Sequence, residues 1–353
     1  MEADIRAHKQ RFGSRLVILG HHYQQDEVIQ FADFTGDSLK LSQLAAEQTD
    51  AEYVIFCGVH FMAESADILT NDSVTVILPD LSAGCSMADM AAIEQLEDAW
   101  DHLTGVTGAK IITITYVNSA ATIKAFCGEH DGACCTSSNA RKILEWALEQ
   151  GDKVIFLPDQ HLGRNTAYAL GFPLDAMALY DPHQPRGGLT DEQVRDAKFF
   201  LWKGHCSVHA LFTEAQCDHI RAADPAAKIL VHPECRWEVV QKADLAGSTE
   251  YILKALDEAP EGSSWAVGTE IHLVNRLAQK YAGRKNIRSL AGVQCLCTTM
   301  YRIDVPHLLW TLDELAAGRV VNPIKVDDHT KHFAVVALQR MLDNVSAQRL
   351  AAK

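Results

Sequence analysis

The chain contains the stretch VHFMAESA at Val59–Ala66, which follows the apolar run Tyr53–Cys57. The same order, a short apolar run and then a histidine at the start of a helical pattern, recurs at His161 and His272. Apolar runs of strand length that alternate with amphipathic helices are typical of parallel sheets covered on both faces. Recurrence along one chain indicates repeated folding units. We therefore predict an α/β fold of three similar three-layer α/β domains, with short parallel sheets arranged around a pseudo-threefold axis.

The domain boundaries are expected near residues 93 and 208. They give a first α/β domain over residues 1–93, a second over 94–207 and a third over 208–299. The C-terminal helices, residues 300–353, are expected to pack back on the first domain. The middle copy is longer than the other two, and we place its insertion around Asp181–Lys198.

Each copy ends in a cysteine flanked by small or hydroxyl residues: Cys85, Cys206 and Cys297. Structural zinc sites usually take pairs of closely spaced cysteines, which three widely separated single cysteines do not provide. A [4Fe–4S] cluster normally takes four thiolates, so three would leave one iron open as a Lewis acid for water or substrate. Cys295 lies two residues before Cys297, and a role for it as a substitute ligand or redox thiol stays open.

Three predicted strands end in polar residues at equivalent positions of the copies, His21, Asn118 and His232. Functional groups of parallel sheets collect at the carboxyl ends of strands. Tyr23 and Glu234 each follow a histidine by two residues, and both can transfer protons. These strand ends are therefore candidate catalytic positions, although a lone histidine there can also serve only as a hydrogen-bonding residue.

Hydroxyl residues stand at the expected starts of the following helices: Ser38, Ser137, and Ser248 or Thr249. A hydroxyl at such a position either caps the helix or helps to bind an anion. His205 and His209 flank the second cysteine and fit an outer shell around a metal site. Arg164 fits either an anionic ligand or an interdomain ion pair, and the sequence favours neither.

The composition excludes several classes of function. The 353 residues carry a formal net charge of −14, which argues against nucleic acid or an anionic membrane as the main partner. Residues 1–15 lack the apolar segment of a signal peptide, and no apolar run is long enough for a membrane span. We therefore expect a cytoplasmic protein, whose ten cysteines are ligands, redox thiols or buried residues and not a disulfide framework.

Several short motifs occur in a fixed order along nearly the whole chain. They are Gly20–Tyr23, Gly36–Leu39, Tyr116–Asn118, Thr136–Ser138, Lys203–Cys206, His232–Glu234 and Gly247–Thr249. On these motifs the chain resembles the quinolinate synthases, the A-type prokaryotic enzymes of NAD biosynthesis.

The resemblance implies condensation of iminosuccinate with dihydroxyacetone phosphate to give quinolinate, phosphate and water. It implies a [4Fe–4S] cluster held by Cys85, Cys206 and Cys297, and a transient contact with L-aspartate oxidase. The catalytic residues that it implies are Tyr23, Glu234, His21 and His232. The substrate-binding residues that it implies are His21, Ser38, Tyr116, Val117, Asn118, Ser137, His232, Pro233, Glu234 and Thr249.

Two features depart from the family pattern. His22 stands where many members have tyrosine, and Cys295 and Cys297 form C-x-C where several members have C-x-x-C-x-x-C. A disulfide switch built on the longer motif is therefore not expected here. Two other functions stay open at this point. One is a different cluster-dependent hydro-lyase, and the other is an iron–sulfur redox protein, which would not require the polar strand ends.

Overall fold

The computed structural model describes residues 1–48, 50–292 and 295–351, with side chains through residue 344. Its strands are β1 (Leu16–His21), β2 (Phe34–Gly36), β3 (Tyr53–Cys57), β4 (Thr75–Ile77), β5 (Ile111–Tyr116), β6 (Ala133–Cys135), β7 (Lys153–Leu157), β8 (Met177–Tyr180), β9 (Phe199–Trp202), β10 (Lys228–Val231), β11 (Leu245–Ala246), β12 (Ser264–Gly268), β13 (Asn286–Ser289) and β14 (Pro323–Ile324).

The α-helices alternate with these strands along most of the chain. They are α1 (Glu2–Phe12), α2 (Asp26–Ile29), α3 (Ser38–Glu47), α4 (His60–Leu69), α5 (Ile93–Thr107), α6 (Ala121–Glu129), α7 (Ala140–Gln150), α8 (Gln160–Ala169), α9 (Asp191–Asp196), α10 (Glu214–Ala223), α11 (Trp237–Lys242), α12 (Thr249–Glu258), α13 (Ile271–Lys280), α14 (Val305–Ala316) and α15 (Asp328–Ala351). In the part of the chain that the structure describes, no helix is long and apolar enough to cross a membrane.

The strands form three short sheets. The first has the order β14-β4-β3-β1-β2, the second β6-β5-β7-β9-β8 and the third β11-β10-β12-β13. Neighbouring strands are parallel in every pair except β14 with β4, which is antiparallel. The predicted α/β class with three short, mostly parallel sheets is confirmed.

Burial explains why the apolar runs become strands. All six residues of β1 and of β5 are buried, as expected for strands with helices on both faces. The helices bury one face each; α12, for example, buries Thr249, Ile252 and Leu256, which are three and four positions apart. β1 ends at His21, β5 ends at Tyr116 and β10 ends directly before His232, so three of the motifs lie at strand ends.

The chain divides into two compact units. One contains residues 1–85 and 296–331 with the first sheet, and the other contains residues 86–295 and 332–353 with the second and third sheets. The predicted boundaries at residues 93 and 208 stay a prediction. In the first unit, α14 packs on α1 and α2, and β14 extends the sheet.

The last helix, α15, belongs to the second unit from residue 332 onward. A side chain at Gly128 of α6 would collide with the carbonyl oxygen of Phe333, so glycine permits this close approach. Arg340 donates to the carbonyl oxygens of Gly128 and Gly132 at 3.0 and 2.8 Å. These contacts hold α15 against α6.

Candidate active site

His232 follows β10 directly, at the carboxyl end of the third sheet. Its backbone N–H donates to the carbonyl oxygen of Gly268 at 3.1 Å, and its ring nitrogen Nδ1 accepts from the N–H of Glu234 at 3.4 Å. The residue is only 2% exposed, and burial lowers the pKa of His232 to about 3. Because Nδ1 is an acceptor, the neutral ring carries its proton on Nε2 and can donate from there.

Glu234 lies beside a second buried histidine, His209. Oε2 of Glu234 is 2.6 Å from Nδ1 of His209, and the His209 ring stacks on that of His232 with centroids 4.5 Å apart. Nε2 of His209 lies 3.2 Å from Oγ1 of Thr269. The sequence placed His209 only near a metal site, because its partner Glu234 lies 25 residues further along the chain.

Several groups hold Glu234 in the charged form. Burial alone would raise its pKa, but the neighbouring His232 and His209 and hydrogen bonds from His209 and Tyr116 outweigh burial, and the pKa of Glu234 is lowered to about 2. Oε1 is buried and has no hydrogen-bond partner among the described residues. A buried carboxylate oxygen without a partner is ready to accept a hydrogen bond or a proton from a ligand.

The second and third sheets meet at this carboxylate. Tyr116 is the last residue of β5 in the second sheet, and its side chain hydrogen-bonds Glu234. Asn165 of α8 donates to the carbonyl oxygens of Pro233 and Cys235, both at 2.8 Å. The structure thus brings together Tyr116, Pro233 and Glu234 from the predicted substrate-binding residues.

Cys206 lies next to the same group. The ligand atoms of Cys206, His209 and Glu234 all lie within 4.8 Å of one another. The backbone N–H of Cys206 donates to Oδ2 of Asp159 at 3.2 Å. Burial, and then the charge of Glu234, raise the pKa of Asp159. Asp159 therefore fixes the backbone that carries this thiol.

Asp159 has a counterpart in the third copy that the sequence reasoning missed. Asp159 accepts from the N–H groups of His161 and Leu162 and caps α8, and Glu270 accepts from the N–H groups of His272 and Leu273 and caps α13. Both carboxylates are fully buried. The signal was present, since an acidic residue stands two positions before each of these repeated histidines. Here the repeated histidines mark helix starts.

The ten cysteines fall into two groups by exposure. Cys85, Cys206 and Cys297 are half-buried, whereas the other seven are buried. Burial raises the pKa of all seven buried thiols: Cys57, Cys127, Cys134, Cys135, Cys217, Cys235 and Cys295. For Cys295, two residues from Cys297, the pKa rises to about 11. Thiolates are the ligands of iron–sulfur clusters, so the donor chemistry of the three half-buried cysteines fits such a group.

The first unit contains His21, Tyr23 and Ser38. His21 is the last residue of β1, and its Nδ1 accepts from the N–H of Tyr23 at 3.1 Å. Ser38 is the first residue of α3, but the helix is capped by Asp37, whose side chain accepts from the N–H of Lys40. Asp37 and not Ser38 therefore caps the helix, and anion binding by the Ser38 hydroxyl stays a prediction.

Ser137 does not begin a helix, contrary to the expectation. Helix α7 begins at Ala140, because Oδ1 of Asn139 accepts from the N–H of Thr136 and forms a turn before the helix. Ser137 is half-buried in this turn, whereas Ser138 is exposed and hydrogen-bonds Thr136.

The remaining candidates lie at strand and helix ends. Thr249 begins α12, and the preceding Ser248 is the cap, accepting from the N–H of Tyr251 at 3.3 Å. After β5, the N–H of Val117 donates to the carbonyl oxygen of Cys135 at 2.9 Å, and Asn118 is half-buried.

The fold and these groups define an α/β enzyme with an imidazole–carboxylate cluster after β10 in the second unit and three half-buried thiols along the chain. Residues 3–343 match the family model described as quinolinate synthetase A protein. The quinolinate synthase of Acidobacterium capsulatum is 58% identical over 346 residues, covering 97% of this chain and 92% of that protein. The quinolinate synthases of Streptomyces coelicolor and Halalkalibacterium halodurans are 57% and 56% identical over 343 residues, covering 96% and 97% of this chain and 87% and 93% of theirs. The chain belongs to the quinolinate synthetase A protein family and is an enzyme of the quinolinate synthase type.

Proposed function

We propose that the protein condenses iminosuccinate with dihydroxyacetone phosphate to give quinolinate, phosphate and water in NAD biosynthesis. The observation that carries the proposal is the division of the cysteines, in which Cys85, Cys206 and Cys297 alone among the ten are half-buried. They are the same cysteines that end the three sequence copies. The family membership supports the same reaction.

The three thiolates would hold a [4Fe–4S] cluster. When bound, such a cluster with one iron lacking a protein ligand supplies a Lewis acid for the loss of water. Glu234 and Cys206 lie close together, so the carboxylate is placed to exchange protons beside the cluster ligand. Substrate binding and proton transfer are assigned to the side chains of the protein itself.

The substrates are small anions, and the site binds them with neutral donors. His232 is neutral and donates from Nε2, and Tyr116 contributes a hydroxyl at Glu234. Ser38 and Thr249 stand at the N-terminal ends of α3 and α12, where backbone N–H groups favour carboxylates and phosphates. Neutral donors and helix ends explain how a chain with a net charge of −14 binds anions.

Proton transfer is assigned to Glu234 and Tyr23, with His21 and His232 as hydrogen-bond donors to the intermediates. Formation of an aromatic ring needs enolisation, tautomerisation and dehydration, each of which moves a proton. Asn118, Val117, Ser137 and Pro233 are proposed to contact the substrate through hydroxyl, amide or backbone groups. Oε1 of Glu234 has no partner among the described residues and is therefore placed to accept a proton from a ligand.

The test is anaerobic purification followed by iron and sulfide measurement and a quinolinate assay. Cys297→Ala should lose both the cluster absorbance and the product, whereas the matched Cys295→Ala should keep the cluster. Retention of the full iron content by Cys297→Ala would contradict the ligand assignment. An intact cluster without quinolinate formation would instead favour a different cluster-dependent hydro-lyase or a redox protein.

The same proposal includes a cytoplasmic location and a transient contact with L-aspartate oxidase. Reduced thiols persist in the cytoplasm, which suits cysteine ligands. Iminosuccinate is an imine that water hydrolyses, so a supplier in contact with this protein would limit its loss. A coupled assay should form less quinolinate when a dialysis membrane separates the two proteins than when they are mixed.

A further inference from the structure

A cavity of about 830 Å³ lies within the second unit. Its walls come from the first turn of α8, from the segment after Cys206 and from the starts of α10 and α11. The polar side chains that matter here are those of Gln160, His161, Arg164, His205 and Arg236.

Two arginines line this cavity without an ion pair. Among the described residues, Arg164 has only neutral partners, Oε1 of Gln160 at 3.2 Å and Nδ1 of His161 at 3.4 Å. No carboxylate of the described residues lies within ion-pair distance of Arg164 or Arg236. By contrast, Arg221 of the same unit pairs with Asp244 at 2.8 Å. Two guanidinium groups without counter-ions beside one cavity indicate an anion-binding surface.

The electrostatics of His161 support this. Burial first, and then the charges of Arg164, His205 and Arg236, lower the pKa of His161 to about 4. The imidazole is therefore neutral at physiological pH, and the positive charge of the cavity belongs to the two arginines. A bound anion would reduce the positive potential and raise the pKa of His161.

Two carboxylates also line the cavity, Glu214 at the start of α10 and Glu238 in α11. Both are exposed, and the charge of Glu238 acts on Arg164 without forming an ion pair among the described residues. Carboxylates accept hydrogen bonds from hydroxyl groups. The lining therefore offers guanidinium groups for an anionic group of a ligand and carboxylates that accept hydrogen bonds from its hydroxyl groups.

We propose that this cavity binds a small organic phosphate, with its phosphate group on Arg164 and Arg236 and its hydroxyl groups towards Glu214 and Glu238. The planar guanidinium matches phosphate oxygens in a two-point hydrogen bond. Two sources share this chemistry. One is the triose phosphate substrate, and this alternative rests on the proposed function; the other is a phosphate ester that regulates the enzyme.

The test uses the anaerobically purified full chain and isothermal titration calorimetry with dihydroxyacetone phosphate and glycerol 3-phosphate. Arg164→Gln and Arg236→Gln should each weaken binding roughly tenfold or more, because each removes a charge-assisted hydrogen bond. Arg141→Gln is the matched control, since Arg141 is exposed on α7 of the same unit and forms an ion pair with Glu145. Arg236 is exposed, so its replacement keeps the test valid if Arg164→Gln folds poorly.

The proposal would be overturned if Arg236→Gln, Arg141→Gln and the unchanged protein all bound each phosphate ester with the same affinity. Steady-state kinetics then separate the two sources. A raised KM for dihydroxyacetone phosphate with unchanged kcat identifies the substrate, whereas an unchanged KM with loss of a glycerol 3-phosphate effect on the rate identifies a regulator. Binding that depends on the arginines in a protein that forms no quinolinate would support the cavity and contradict the proposed function.

Discussion

The loops after β1 and β10 have the same backbone hydrogen bond but different side chains at the position two residues after the histidine, Tyr23 and Glu234. In both, a histidine follows or ends a buried strand, and its Nδ1 accepts from the N–H two residues later, at 3.1 Å from Tyr23 and 3.4 Å from Glu234. Both histidines are buried, 4% exposed at His21 and 2% at His232. The repeated geometry fixes the same tautomer twice, with the proton on Nε2 in the neutral ring.

The difference lies in what packs against each histidine. The His21 ring meets the ring of Tyr23 edge-on with centroids 4.8 Å apart, whereas His232 stacks on His209 beside a carboxylate. A phenol releases its proton only well above neutral pH, but a carboxylate is already ionised there. The same loop geometry therefore carries a phenol, which is a weak acid, after the first-sheet strand and a carboxylate after the third-sheet strand.

Glu234→Gln removes the proposed base from the third-sheet loop, and we expect it to have the largest effect. The amide keeps the size of the side chain but accepts no proton, so kcat for quinolinate should fall on the order of 10²–10⁴-fold. Glu258→Gln, an exposed position on α12, is the control. Equal iron content in both variants isolates the chemistry, and a kcat for Glu234→Gln within a few-fold of normal would remove Glu234 from proton transfer.

Tyr23→Phe makes the matching change in the first-sheet loop. The ring that packs on His21 is retained and only the hydroxyl is lost, so we expect kcat to fall by about 10²-fold, the lower end of the range for a positioned acid or base. Tyr53→Phe in β3 of the same unit is the control. If Tyr23→Phe lowers kcat more than Glu234→Gln does, the assignment of the stronger catalytic group to the third sheet is wrong.

The sequence predicts the long elements better than the short ones. β3 coincides with the predicted apolar run Tyr53–Cys57, because a continuous apolar stretch leaves little choice of where the strand begins and ends. β2, β6 and β11 have two or three residues each, too few for a period to be visible, and pairing with a neighbouring strand alone defines them. Likewise α7 starts at Ala140 because of a local turn at Asn139.

The strand ends were predictable because parallel sheets collect functional groups there, and the repeat identified His21 and His232 together. His209 was not identified as a partner of Glu234, since a stacked pair of rings from distant segments leaves no spacing in the sequence. The sequence left a role for Cys295 open beside Cys297. In the structure Cys295 is buried and its pKa is raised to about 11, whereas Cys297 is half-buried, and Cys297 as the ligand stays a prediction.

His232→Asn tests the buried imidazole of the third-sheet loop by stability. The pKa of His232 is lowered to about 3, whereas an unfolded histidine titrates near 6.5, so between these values the unfolded chain binds the extra proton. Stability is therefore lost as the pH falls below about 6.5, by up to about 1.4 kcal/mol per pH unit. Urea unfolding from pH 7.5 to 5.5 should show a shallower loss in His232→Asn.

Ionisation of Glu234 does not change stability in the pH range of this experiment, 7.5 to 5.5. Its pKa is lowered to about 2, so its contribution to stability is present above the usual carboxyl value and is lost only as the pH falls from about 4.5 towards 2. His219→Asn, an exposed position on α10, is the control and should keep the pH dependence of the unchanged protein. Identical slopes for His232→Asn and His219→Asn would show that His232 is not buried in the neutral form.

Gly20→Ala tests why the first-sheet loop needs glycine where the third has Val231. A Cβ at residue 20 would lie 2.9 Å from Cβ of Ala32 and 3.2 Å from Cγ1 of Ile29, so α2 must shift. Overpacking of this kind costs about 1–3 kcal/mol of unfolding free energy, and it should also displace His21. Gly105→Ala, inside α5 with open space at its Cβ, should instead stabilise by about 0.5–1 kcal/mol. If urea unfolding gives the two variants equal stability, the close packing of α2 on β1 does not constrain this loop.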